Sequence, residues 1–157
     1  MVKFQQLGVK QSPIELTIKI HPIEQLIQMA QILQDGMVIN MEIRLPEKSV
    51  LPNGFRYPES LFKVVRLNLI NLDPWIIMNG DQVVSRIEGL KERYPNRTLI
   101  PFARRLDNDD LACFEPMKGE GVQVIHDFAS SGYEQRKEYA DFWDWFRDAM
   151  NEMIEFD

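Results

Sequence analysis

Cysteine is almost absent. Cys113 is the single one in 157 residues, so neither an intrachain disulfide nor a cysteine-based zinc cage is available. Long apolar runs are absent too: no stretch approaches the roughly 20 residues a membrane helix needs. The opening segment "MVKFQQLGVK" has no apolar core and no small-residue cleavage site of a secretory signal. These absences predict a cytoplasmic chain without a membrane span. Histidine occurs twice, at His21 and His126, which leaves few candidates for general acid/base work. Glycine-rich phosphate loops are missing. "NGDQ" precedes a predicted helix but carries one glycine only.

What is present fits one soluble domain: 45% apolar and 27% charged residues, over a length that supports a sizeable core. The net charge of −6 disfavours nucleic acid as a partner. The charge is unevenly spread. Residues 1–106 hold 14 Lys/Arg and 10 Asp/Glu (+4), and residues 107–157 hold 4 and 14 (−10). A surface that binds by charge, or acids that only solubilise a helix, are the two readings of that asymmetry.

Hydrophobic spacing predicts the elements. "IELTIKI" (14–20) alternates as a half-buried strand. Ile23, Leu26, Ile27, Ala30 and Leu33 recur at helical spacing after Pro22 and stop at Gly36. "MVINMEIRL" (37–45) alternates again. Residues 46–58 read as a loop, 59–67 as a short helix and "PWIIMNG" as a strand ending in an Asn79-Gly80 turn. "DQVVSRIEGLKERY" is a helix with Asp81 as its N-cap. "RTLIPFA", "DLACFE" and "GVQVIHDFA" form a meander whose turns are "DNDD" and "KGEG". The expected fold is α+β: a mostly antiparallel sheet of about five or six strands with helices packed on it.

A terminal helix is predicted over 138–153. On a wheel, Tyr139, Phe142, Trp143, Phe146, Met150 and Met153 share one face. Asp141, Asp144, Asp148, Glu152 and Glu155 fall opposite as an acidic stripe. Trp145 projects to the flank of that stripe. An exposed tryptophan beside carboxylates has the composition of a binding hot spot. The alternative is a ring packed under a loop or under the N-terminal region.

The cluster Asp107, Asp109, Asp110 admits three readings: a metal site together with His126, an acid/base pair, or a charged turn. Asp and Asn favour turns because their side chains bond nearby backbone. "DNDDLACFE" lacks the invariant glycine of a calcium loop. "IHDFASSG" holds Ser, His and Asp, but Ser130 and Ser131 lack the glycine-flanked elbow of a hydrolase nucleophile. Cys113 sits inside a predicted strand with no adjacent base, which predicts a buried thiol.

The ordered combination of a strand ending in Pro-Phe-Ala, the Asp-rich hairpin, a strand ending in His-Asp and a closing helix dense in Phe and Trp resembles the SUKH superfamily over about residues 57–150. That superfamily unites bacterial immunity proteins with the fungal regulator of cell-wall glucan synthesis. The strand–helix–strand unit at 14–45 lies outside the recognised pattern, within a single expected domain of 1–157. The resemblance implies an α+β fold without catalytic residues, and no metal or cofactor is expected. It further implies an immunity protein that binds and blocks a toxin, often a nuclease. A nuclease presents a basic cleft, so a basic toxin domain is the expected partner. The residues expected to meet it are Asp107, Asp109, Asp110, Asp141, Asp144, Trp145, Asp148 and Glu152. A homo-oligomer would cover the stripe with a second copy. A regulatory scaffold in envelope synthesis, as in the fungal branch, is the alternative, and a metal-dependent hydrolase is a third class.

Overall fold

The computed structural model describes residues 43–156. They belong to the second of two compact units, Met41–Asp157. The strand at 14–20, the helix that follows and most of the strand at 37–45 lie outside the described residues. Residues 43–45 themselves are in no strand.

Six strands form one sheet in sequential order, every neighbouring pair antiparallel: β1 (Asn71–Leu72), β2 (Trp75–Ile77), β3 (Ile100–Arg105), β4 (Asp110–Phe114), β5 (Val122–His126) and β6 (Gln135–Tyr139). Three helices, α1 (Glu59–Arg66), α2 (Gly80–Arg93) and α3 (Phe142–Glu155), complete the described residues with two short 3-10 turns. The α+β class with an antiparallel sheet is the one expected, and β2 to β5 correspond to strands the periodicities predict, whereas β1 and β6 do not.

Side chains alternate across the strands, and each face carries its own apolar cluster. Ala112 and Phe114 of β4 join Phe102, Val122 and Val124 in the cluster that holds Leu61 and Val64 of α1 and Phe142, Trp145 and Ala149 of α3. Leu111 and Cys113 join Ile125 in the cluster with Val83, Leu90 and Tyr94 of and after α2. Phe102 centres the first cluster. It stacks on Phe114 at 4.6 Å and meets Trp145 edge-on at 4.8 Å, geometries that aromatic quadrupoles favour.

Three local expectations are corrected. Asn79-Gly80 is not a hairpin turn and Asp81 is not the cap of α2. Asn79 caps that helix in a reciprocal box, with the Gln82 side chain accepting from the Asn79 amide at 3.1 Å. An Asn-x-x-Gln spacing closes this box, and the Asn-Gly turn signal overlaps it. Gly80 is there for space: its amide donates to Arg44 O at 2.7 Å, and a Cβ would stand 2.9 Å from that oxygen. Second, the terminal helix begins at Phe142, because Gln135–Tyr139 pair with β5 as an edge strand. The sequence "QRKEY" has no apolar alternation to announce a strand. An edge strand is exposed enough to need none, and charge there discourages further pairing. Tyr139 is therefore on β6 and not on the helix.

The third correction concerns the roll of α3. Its fully buried stripe is Phe142, Trp145 and Ala149, while Trp143, Phe146, Met150 and Met153 are partly buried at the margin. Spacing of three and four makes either stripe possible on a helix. A count of apolar side chains centres the wheel on the larger set. The packing centres it on Trp145, because α1 and the sheet cover α3 from two sides.

Candidate functional site

Trp145 is 1% exposed. Its ring touches Phe102, Phe142 and Trp75 at 4.8, 5.6 and 5.7 Å. It is core, and the expectation of an exposed hot spot beside the stripe is overturned.

The stripe itself is largely neutralised. Asp148 accepts from Lys137 Nζ at 2.6 Å and from the Tyr139 hydroxyl. Asp144 pairs with Arg147 at 2.7 Å. Glu152 pairs with Arg105. Asp141 is the N-cap of α3, its Oδ1 accepting from the Asp144 amide at 2.9 Å. Hydrogen bonds from Lys137 and Tyr139 hold the Asp148 carboxyl below the usual carboxylate range.

The Asp-rich turn splits in three directions. Asp107 receives a two-pronged bond from Arg105, both distances 2.8 Å, which lowers its pKa. Asp110 meets His126 Nδ1 at 2.7 Å across the β4–β5 ladder. Asp109 is exposed, and its side chain has no partner among the described residues. The three aspartates and His126 therefore do not converge. Among the described residues no group of three His, Cys, Asp or Glu side chains is placed to hold a metal ion. Among the same residues no serine hydroxyl is hydrogen-bonded to His126. The Cys113 thiol is buried, which pushes its pKa well above the ordinary range, so thiolate is scarce at neutral pH.

A different feature stands out where β5 turns into β6. Asp127 is fully buried, 0% exposed. It accepts from Arg86 Nη1 at 2.7 Å, from Arg93 Nε at 2.8 Å and from the Phe128 amide at 2.9 Å. At the other end of the loop, Glu134 accepts from Arg97 at 2.9 Å and from the Gly132 amide at 2.6 Å. Arg97 also grips Glu115 with two bonds. The Tyr94 hydroxyl donates to Ala129 O at 3.0 Å, and His126 N donates to Glu134 O at 2.7 Å. A buried carboxylate thus pins each foot of the loop.

What those anchors present is aromatic. Phe128 is 61% exposed with φ of +65°, and Tyr133 is 80% exposed. A bulky residue in left-handed backbone is a genuine outlier, with a cost of order 1–3 kcal/mol, and such strain clusters at functional sites. The Arg93 guanidinium lies over the Phe128 ring at 4.4 Å and Arg86 at 5.7 Å, which fixes the ring further. Asp109 belongs to the same end of the sheet, its carbonyl accepting from the Asp127 amide at 2.9 Å. Phe128 and Tyr133 escape a sequence reading because "IHDFASSG" draws the eye to Ser, His and Asp. The available signal was two aromatics in a Ser/Gly-rich turn, where burial has little to offer them.

The paired acids set a pH dependence. Asp107 and Asp148 lie below their ordinary 3.8, and Glu134 below 4.5. For Glu134 burial alone would raise the value, and the bonds from Arg97 and backbone amides overcome it. Depressed carboxylates add stability that is complete above the unfolded values and is lost as pH falls through the folded ones. The urea midpoint should be level between pH 7 and about pH 5 and fall steeply below about pH 4. A midpoint unchanged down to pH 3 would contradict these pairings.

No protein-family model, curated protein or solved structure matches this chain.

Proposed function

We propose that the protein is a non-enzymatic protein-binding module, and that it serves as an immunity protein which holds a toxin domain through the loop 127–134. One observation carries the reading: Phe128 is kept exposed, in strained backbone, by a buried carboxylate and two arginines. Folding alone gains little from an exposed ring, whereas a rigid aromatic is a low-entropy anchor for a partner. Tyr133 supplies a second anchor and Asp109 an unpaired charge at the same end. The net charge of −6 still favours encounter with a basic domain, as steering depends on the whole field. The stripe on α3 contributes less than its sequence promises, since Asp141, Asp144, Asp148 and Glu152 are engaged within the chain.

Phe128→Gly separates binding from folding. Glycine is at ease at φ of +65°, so the variant should keep the parent stability to within about 1 kcal/mol. Its affinity for a toxin domain encoded beside this gene should fall by at least about tenfold, roughly 1.4 kcal/mol. Titration calorimetry with that domain and urea unfolding read the two quantities. Unchanged affinity, or a stability loss well beyond 1 kcal/mol, would make Phe128 a structural residue and remove the loop from the site.

A further inference from the structure

Of the five arginines between residues 80 and 105, four are bound to carboxylates: Arg86 and Arg93 to Asp127, Arg97 to Glu115 and Glu134, Arg105 to Asp107 and Glu152. Arg104 is the exception. It is half-buried, yet its guanidinium has no hydrogen bond, ion pair or ring contact among the described residues. Its place is fixed by the sheet. In the ladder it stands between Ile76 of β2 and Leu111 of β4, so its stem is held by neighbours on the same face. It opens into a depression of about 430 Å³, lined with Met78, Asp81, Gln82, Ser85 and Arg86.

A half-buried guanidinium with five donors and no acceptor is an incomplete arrangement. The rest of the depression supplies what an oxyanion needs. Arg86 is positioned by its bond to Asp127, and Asp127 is shared with Arg93, so one carboxylate faces two cations and Arg86 keeps surplus charge. Gln82 offers an amide and Ser85 a hydroxyl. Asp81 is the opposing charge on the rim, and no basic side chain among the described residues is paired with it.

We propose that Arg104 and Arg86, with Ser85 and Gln82, form a binding site for an oxyanion, either a phosphate group or a carboxylate, on the α2 face of the sheet. Arg104 supplies the fork, the geometry that matches both groups. Arg86 adds a second, pre-placed charge. Asp81 limits affinity by repulsion. The site stands apart from the loop reading, because a free anion needs no protein partner to fill it.

The test is a titration of the isotopically labelled full chain with sodium phosphate, and separately with sodium acetate, at constant ionic strength. Saturable amide shifts are expected at Ser85, Arg86 and Arg104. Arg104→Gln should weaken binding at least about tenfold. Asp81→Asn should tighten it about two- to threefold, and Arg56→Gln, at an exposed arginine outside the depression, should leave it unchanged. Response to phosphate alone identifies a phosphate-bearing ligand, and response to acetate a carboxylate; either supports the site. Absence of saturable shifts with both anions overturns it. So does an equal loss in Arg56→Gln, or a weakening in Asp81→Asn. If Arg104→Gln does not fold, Ser85→Glu places a carboxylate in the depression from an exposed helical position and should abolish binding; retained binding there refutes the proposal.

Discussion

Trp145→Ala should destabilise the chain by about 3–5 kcal/mol, the range for removing a large buried aromatic. That is a large part of the roughly 5–15 kcal/mol that holds a domain folded. The ring is sealed in the core against Phe102, Phe142 and Trp75, so its loss leaves a void that the sheet, braced on both faces, cannot collapse to fill. The indole N–H is also buried, with no acceptor among the described residues. Trp145→Phe removes that unpaired donor, worth about 1–3 kcal/mol, and offsets part of the lost packing. It should therefore cost far less than the alanine change. Urea unfolding followed by circular dichroism gives both values. A stable Trp145→Ala that had lost only its partner would restore the surface role which the sequence reading gave this residue.

Asp127→Ala should cost about 3 kcal/mol, at the lower end for breaking a buried ion pair. The carboxylate is fully buried, but Arg86 and Arg93 are partly exposed and recover some hydration once it is gone. The loss has a local signature as well. With its foot released, the strained turn at Phe128 is free to relax. Chymotrypsin should then cut at Phe128 or Tyr133 well before global unfolding, which the parent resists. Asp109→Asn is the control. Its side chain is exposed and unpaired, so its effect should stay within about 0.5 kcal/mol. Equal stability losses at the two positions would mean that Asp127 is not the anchor described.

Where a side chain ends up depends on its own segment in some elements and on its neighbours in others. Along β3, β4 and β5 the apolar runs and the turn chemistry of "DNDD" are local properties. A strand needs only its own alternation and a hairpin its own turn residues, so these elements are legible one at a time. The terminal helix is legible as a helix for the same reason. Its roll is not, because Trp145 faces inward only when α1 and the sheet meet it. β6 was hidden, since an edge strand of polar residues draws its hydrogen bonds from β5 and announces nothing in its own sequence.

Charge shows the division most clearly. By itself the sequence determined the amounts: a net −6, with −10 gathered after residue 106, and an antiparallel α+β sheet to carry them. Only the tertiary structure decided where those charges act. Arg86, Arg93, Arg97 and Arg105, all from the positive half, bind Asp127, Glu115, Glu134 and Glu152, which lie far along the chain in the negative half. Of the acidic stripe, Glu152 is bound by Arg105, while Asp148 and Asp144 are held by Lys137 and Arg147 from the same half, and Phe128 and Tyr133 were left exposed. The physical reason is that an ion pair depends on separation in space, and the pairs that count here join residues 18 to 47 positions apart, such as Arg97 with Glu115 and Arg105 with Glu152.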